Sequence, residues 1–242
     1  YTYDARNRLA GAGGGSYAHD ALGRRVLKTT AAGNRYYAHD EQRRVIGEYD
    51  DAGSLGEMVW LGSTPVAYLK GGQTYWIDAD QINAPRALRN ASDQIVWRWR
   101  SEAFGSQAEE NDPSGLGSFE FNHRFPGQLF DRETALHHND HRDYRAHVGR
   151  YVESDPIGLS GGLNRFAYVR ANPVSSIDPS GLREISACET SAFIEAARRQ
   201  SMAQAFNNHR GGGAFDFNYN QYRGDYFNTF LGRYSASEFG NY

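Results

Sequence analysis

The chain has 242 residues, a formal net charge of −3, 27 Gly and 14% aromatic residues. Its 26 Lys and Arg are scattered rather than clustered, which excludes the basic stripe of an electrostatic nucleic-acid binder. Cys188 stands alone, so no internal disulfide or cysteine zinc site can form, and no apolar run approaches the roughly 20 residues of a membrane helix.

Turn-rich composition with abundant Tyr and Trp predicts a mainly β chain whose strands have half-wet faces. The opening residues, Tyr1-Thr2-Tyr3-Asp4-Ala5-Arg6, carry no apolar signal segment and begin inside a patterned motif, so the chain is expected to be a piece of a longer polypeptide. Tyr1-Thr-Tyr-Asp4, Tyr17-Ala-His-Asp20 and Tyr37-Ala-His-Asp40 share Tyr-x-x-Asp. Basic and then apolar residues follow each: Arg8-Leu9, Arg24-Arg25-Val26 and Arg43-Arg44-Val45. Gly23 marks the second turn, and Gln42 is aligned with it in the third. Tyr75-Trp-Ile-Asp78 is expected to be a fourth copy. The predicted unit is strand, tight turn, strand, stacked on its neighbours because one hairpin is marginal alone. Gly11-Ala-Gly-Gly-Gly15 lacks the Lys-Ser or Lys-Thr of a phosphate loop and is expected to be a flexible hairpin linker.

Further on come Asp80-Gln-Ile-Asn-Ala-Pro-Arg-Ala-Leu88, Val96-Trp97-Arg98 and Ala103-Phe104-Gly105. Then follow Arg124-Phe125-Pro126-Gly127-Gln128, Phe130-Asp131-Arg132-Glu133-Thr134, His141-Arg142-Asp143-Tyr144 and Gly149-Arg150-Tyr151. The run closes with Asp155-Pro156-Ile157-Gly158-Leu159, Gly162-Leu163-Asn164, Asn172-Pro173 and Asp178-Pro179-Ser180-Gly181-Leu182. Over residues 1–182 this resembles the YD-repeat proteins called Rhs, most specifically from 124 to 182. Ala135 and Ala171 depart from the family's usual Gly and Asn.

The resemblance implies a hollow β-shell over residues 1–123, an Rhs-associated core that curls inward as a plug over 124–182, and a variable toxin beginning at 183. It further implies an aspartyl-protease-like pair, Asp155 and Asp178, that cuts the chain between Leu182 and Arg183. By spacing alone the two aspartates are Asp-Pro turn residues. Arg150, five residues before Asp155, is the candidate for orienting a carboxylate or stabilising the carbonyl oxygen, with a structural salt bridge as the alternative. No cofactor is implied. The implied partners are the rest of the shell, a secretion-spike protein, a chaperone and a cognate immunity protein. The implied route is synthesis in the bacterial cytoplasm and secretion, as by a type VI system. The alternative is a structural or adhesive YD shell without cleavage.

His137, His138, His141 and His147 lie near Asp140 and Asp143. His137 and His141 would share a face in a helix, as a metal pair does, but the segment reads as strands and turns. After Leu182 the composition shifts. A helix is expected from about Glu189 to Asn207, closed by Gly211-Gly212-Gly213 and followed by an aromatic, Asn-rich tail, as the first part of the toxin. Its polar residues, such as His209, Arg210 and Asp216, name no reaction.

Overall fold

The computed structural model describes residues 1–186. Eleven strands form one antiparallel sheet in sequence order: β1 (Thr2–Tyr3), β2 (Leu9–Ala12), β3 (Gly15–His19), β4 (Arg25–Thr30), β5 (Gly33–His39), β6 (Val45–Asp50), β7 (Gly53–Leu61), β8 (Thr64–Lys70), β9 (Gln73–Ala79), β10 (Pro85–Arg89) and β11 (Ile95–Arg98). The chain is mainly β, and helical turns among the described residues are short 3-10 segments. The expected helix near Glu189 and the aromatic tail lie outside the described residues.

One turn design builds the ladder. In the turns opened by Asp4, Asp20 and Asp40, the aspartate's backbone N–H donates to the carbonyl four residues on, and its carbonyl accepts from the N–H three residues on. Its Oδ1 accepts the N–H of Arg8, Arg24 or Arg44, at 3.0, 2.9 and 2.9 Å. Its Oδ2 takes the same arginine's Nε, at 2.7, 2.7 and 2.6 Å. Asp is therefore both turn cap and ion-pair partner, and Arg at the fourth position belongs to the motif. Asp80 and Asn90 open turns with the same backbone bonding. The fourth copy is thus offset from the sequence alignment: Asp80 caps the turn, while Asp78 lies in β9 and pairs with Arg89.

The third position after the capping residue is left-handed in all five turns: Asn7, Gly23, Arg43, Asn83 and Asp93. Gly23 is therefore matched by Arg43 rather than Gln42. Gly, Asn and Asp adopt this conformation at little cost; Arg does not. Gly13 and Gly14, both at positive φ, form the two-residue turn between β2 and β3, so the glycine run is a tight hairpin turn and not a flexible linker.

A second sheet carries β12 (Leu129–Asp131), β13 (Leu136–Asn139), β14 (Arg142–Arg145) and β15 (Arg150–Tyr151) in sequential antiparallel order. β16 (Ser176–Ile177) pairs with β17 (Ile185–Ser186), which brackets the Asp178–Leu182 turn between two short strands. The main core joins Met58, Tyr68, Leu88 and Trp97 of the first sheet to Phe121, Phe125, Tyr144, Tyr151 and Tyr168.

Elsewhere the two parts meet through buried charge. Arg25 donates to Asp131 at 2.5 Å and to Asp143 at 3.1 Å, and Lys28 donates to Asp131 at 2.9 Å. Taking charges out of water is costly unless each is paired, and here one acceptor, Asp131, serves two cations.

Candidate active site

Asp155 and Asp178 open turns that share two features with those of the shell, the bond from the third residue's N–H and that residue's left-handed backbone, although the Asp155 N–H donates to Arg165 O at 2.9 Å instead of closing the turn. Gly158 N–H donates to Asp155 O and Gly181 N–H to Asp178 O, with both glycines left-handed. A further difference lies at the fourth residue after the Asp. Where the first three shell turns have Arg, these have Leu159 and Leu182. Each Oδ2, deprived of a local guanidinium, turns to Arg142. Arg142 Nη1 lies 3.0 Å from Asp155 Oδ2, and Nη2 lies 3.2 Å from Asp178 Oδ2. The three side chains are almost wholly excluded from solvent, at 3, 4 and 4% exposure for Arg142, Asp155 and Asp178.

Asp178 is saturated with donors. Its Oδ1 accepts from the N–H groups of Leu182 and Arg183, both at 3.0 Å. Its Oδ2 also accepts from Tyr151 Oη at 2.9 Å. Asn139 Nδ2 donates to Tyr151 Oη at 2.7 Å and to the Asp178 carbonyl at 2.8 Å. Burial, and next the negative charge of Asp178, push the Tyr151 hydroxyl well above its ordinary range, so it serves as a donor. The Arg142 guanidinium stacks 3.7 Å from the centre of the Tyr151 ring, which fixes its plane between the carboxylates.

Asp155 approaches from the other side. Its Oδ1 caps Ile157 N–H at 3.0 Å. Gly161 lies between Asp155 and the Leu182 carbonyl: a Cβ built on it would stand 3.0 Å from Asp155 Cγ and 3.2 Å from Leu182 O. One aspartate thus touches the nitrogen of the Leu182–Arg183 bond, and the other lies near its oxygen. Glycine is also required at Gly127, whose Cα abuts the Pro179 backbone and leaves no room for a side chain.

Arg150 is not brought to the pair. It is exposed, opposite Arg145 on β14, and among the described residues it makes no ion pair. Tyr151 points inward, so its strand neighbour must point out. Arg142 is the arginine that faces both carboxylates, and reasoning from chain proximity missed it. Its signal was indirect, namely the missing Arg after each Asp-Pro turn.

The histidines do not converge. His137 Nδ1 is 2.8 Å from Gln128 Oε1, and burial followed by the charge of Arg124 lowers its pKa to about 3. His138 Nδ1 is 3.2 Å from Asp143 Oδ1, His141 reaches Ser180 O at 3.0 Å, and His147 is exposed.

Residues 1–167 match the teneurin YD-shell family model. The chain is 28% identical to double-stranded DNA deaminase toxin A of Burkholderia cenocepacia (strain H111), over 75% of this chain and 15% of the relative. It is 29% identical to the probable deoxyribonuclease RhsB of Dickeya dadantii (strain 3937), over 87% of this chain and 15% of the relative. It therefore spans a small fraction of these relatives. Among solved structures it resembles the TcdB2-TccC3-Cdc42 crystal structure with a TM-score of 0.58 and 21% identity, over 75% of this chain and 10% of that one, a likeness of fold. The chain belongs to the YD-shell family, as an Rhs-type core segment of a polymorphic toxin.

Proposed function

We propose that this segment cuts its own chain between Leu182 and Arg183, with Asp155 and Asp178 as the catalytic pair and Arg142 as the group that holds them. The observation that carries the reading is the placement of both carboxylates on one buried guanidinium, with Asp178 Oδ1 3.0 Å from Arg183 N. One guanidinium facing two carboxylates leaves room for one proton in the trio. Asp155, near Leu182 O, bears that proton and polarises the carbonyl. Asp178, on releasing one of its four donors, takes a proton from water as the water oxygen bonds to the Leu182 carbon. The carbonyl oxygen takes the Asp155 proton. On collapse, Asp178 passes its proton to Arg183 N, the C–N bond breaks, and the tetrahedral centre returns a proton to Asp155. Because bond and catalyst share one chain, orientation is fixed by folding and the reaction runs once.

The boundary at 182 follows from this reading, and the one at 123 is proposed from the resemblance to Rhs proteins: a shell, a core that cuts, and a toxin freed at Arg183. Secretion by a type VI route, with spike, chaperone and immunity partners, is proposed from the resemblance to Rhs toxins and from relatives named as toxins. No helix among the described residues is long and apolar enough to cross a membrane.

The test is a denaturing gel and intact mass of the wild-type chain beside Asp155→Asn and Asp178→Asn. Wild type is expected in two pieces that meet at Leu182–Arg183. Each variant, which keeps the turn but loses acid–base capacity, is expected intact, with cleavage slowed at least 10²–10⁴-fold. Full cleavage in both variants would leave the aspartates as turn caps and favour a structural shell.

A further inference from the structure

The segment that grips the scissile turn is a single hairpin tip. β13 and β14 are joined by two residues, Asp140 and His141. Asn139 Nδ2 donates to Asp178 O at 2.8 Å. His141 donates to Ser180 O through its backbone N–H at 3.3 Å, and its Nδ1 lies 3.0 Å from the same oxygen. Arg142 Nε donates to Gly181 O. Three carbonyls of the Asp178–Gly181 stretch are thus held by this tip, so its position sets that of the bond to be cut.

The tip is bolted to the shell. Arg43 Nε and Nη2 donate to Asp140 Oδ2 and Oδ1 at 2.6 and 2.7 Å, a bidentate pair. Arg43 Nη1 also donates to Leu22 O, in the preceding repeat's turn, at 3.1 Å. Asp140 Oδ2 lies 3.1 Å from His141 Nδ1. Both neighbours of that nitrogen are acceptors, so Nδ1 carries the hydrogen and shares it between Asp140 and Ser180. A continuous chain of polar contacts therefore runs from two shell turns to the scissile turn.

The repeat itself marks Arg43 as exceptional. Its slot is left-handed, and the other four turns fill that slot with Asn, Gly, Asn and Asp. Arg43, at φ 68, accepts a strained conformation that a repeat optimised for folding would avoid. Its side chain leaves its own repeat for the core, where Asp140 is left-handed too, at φ 50.

We infer that Arg43, Asp140 and His141 are positioning residues for the cut, which make cleavage conditional on the third repeat having closed against the core. The inference rests on the proposed cleavage. Before the third repeat docks, Asp140 has no guanidinium, the hairpin tip is free to shift, and the scissile turn is not held against Asp155. Cleavage then follows assembly of shell around core.

The experiment is a pulse–chase of the full polypeptide in cell-free translation, read on denaturing gels. Arg43→Ala is expected to slow cleavage roughly 10- to 100-fold, the usual cost of misplacing reacting groups by about 1 Å. Arg43→Lys restores the charge on Asp140 and should recover part of the rate. Arg43→Gly is the deciding variant. It relieves the left-handed strain, so its thermal midpoint should not fall as it would for a damaged fold, yet it should cut as slowly as Arg43→Ala. Wild-type cleavage by Arg43→Gly would overturn the inference while leaving the aspartate pair intact. Wild-type cleavage by Asp178→Asn, run in the same chase, would instead overturn the peptidase reading and this inference with it.

Discussion

Gly161 offers a way to block the proposed reaction without altering any ionisable group. Its backbone is not left-handed, so alanine is conformationally allowed. The added methyl, however, would stand 3.0 Å from Asp155 Cγ and 3.2 Å from Leu182 O, and closer still to Asp155 Oδ2. Ordinary carbon–oxygen contact requires the carboxylate to retreat by about 1 Å, a displacement that typically costs on the order of 100-fold in rate. The retreat also stretches the 3.0 Å contact between Asp155 Oδ2 and Arg142 Nη1. Loss of a charge-assisted bond of that kind costs about 1.5–3 kcal/mol. Gly161→Ala should therefore fold with a modestly lowered midpoint and accumulate as the uncut chain. Intact-mass spectrometry over a time course reads the uncut fraction directly. A variant that is fully cut as fast as wild type would show that the space between Asp155 and the Leu182 carbonyl plays no part in the reaction.

Glu153 predicts a pH dependence of stability. Burial, and then the adjacent negative charge of Asp143, raise its pKa from 4.5 to about 7. The folded chain keeps a proton that the unfolded chain has already released, so this contribution is full below about 4.5 and is lost as pH rises through about 7. Glu153→Gln should remove that slope and leave the variant more stable by roughly 2–3 kcal/mol at about pH 8, with little gain at about pH 4; an equal effect at both pH values in chemical denaturation would refute it. Ala135 occupies a left-handed position at φ 55. Ala135→Gly should relieve about 1 kcal/mol and raise the thermal midpoint by a few degrees, and a lowered midpoint would refute the strain.

Strands and their order were legible because Tyr-x-x-Asp announces both a pleated strand and its turn. The phase of the turn was not. Gly23 and Gln42 look equivalent when the units are aligned by their basic pairs. The backbone instead requires positive φ at the third residue after Asp, which puts Arg43 there. Ala135 and Ala171 stand at left-handed positions too, where Gly and Asn are at ease and Ala is strained. The pairing of Asp155 with Asp178 came from family resemblance. Its physical trace, Leu in place of Arg four residues after each Asp, becomes readable only once the shell turns show what that Arg does. Arg142 was hidden because it belongs to a different hairpin from either aspartate, whereas Arg150 is near in sequence and faces away.

Near-identical repeats set a folding chain a counting problem, since a core that docks one unit early or late meets almost the same surface. Arg25 breaks the degeneracy. At its position after the turn the other units carry Leu9, Val45, Pro85 and Ile95. A docking shifted by one unit would set an aliphatic side chain against Asp131 and Asp143, stripping two buried carboxylates of the guanidinium they share. Removing one partner from a buried ion pair costs about 3–5 kcal/mol, a large part of a domain's whole stability. The irregular arginine thus works as an index mark, letting a periodic ruler be read at only one graduation.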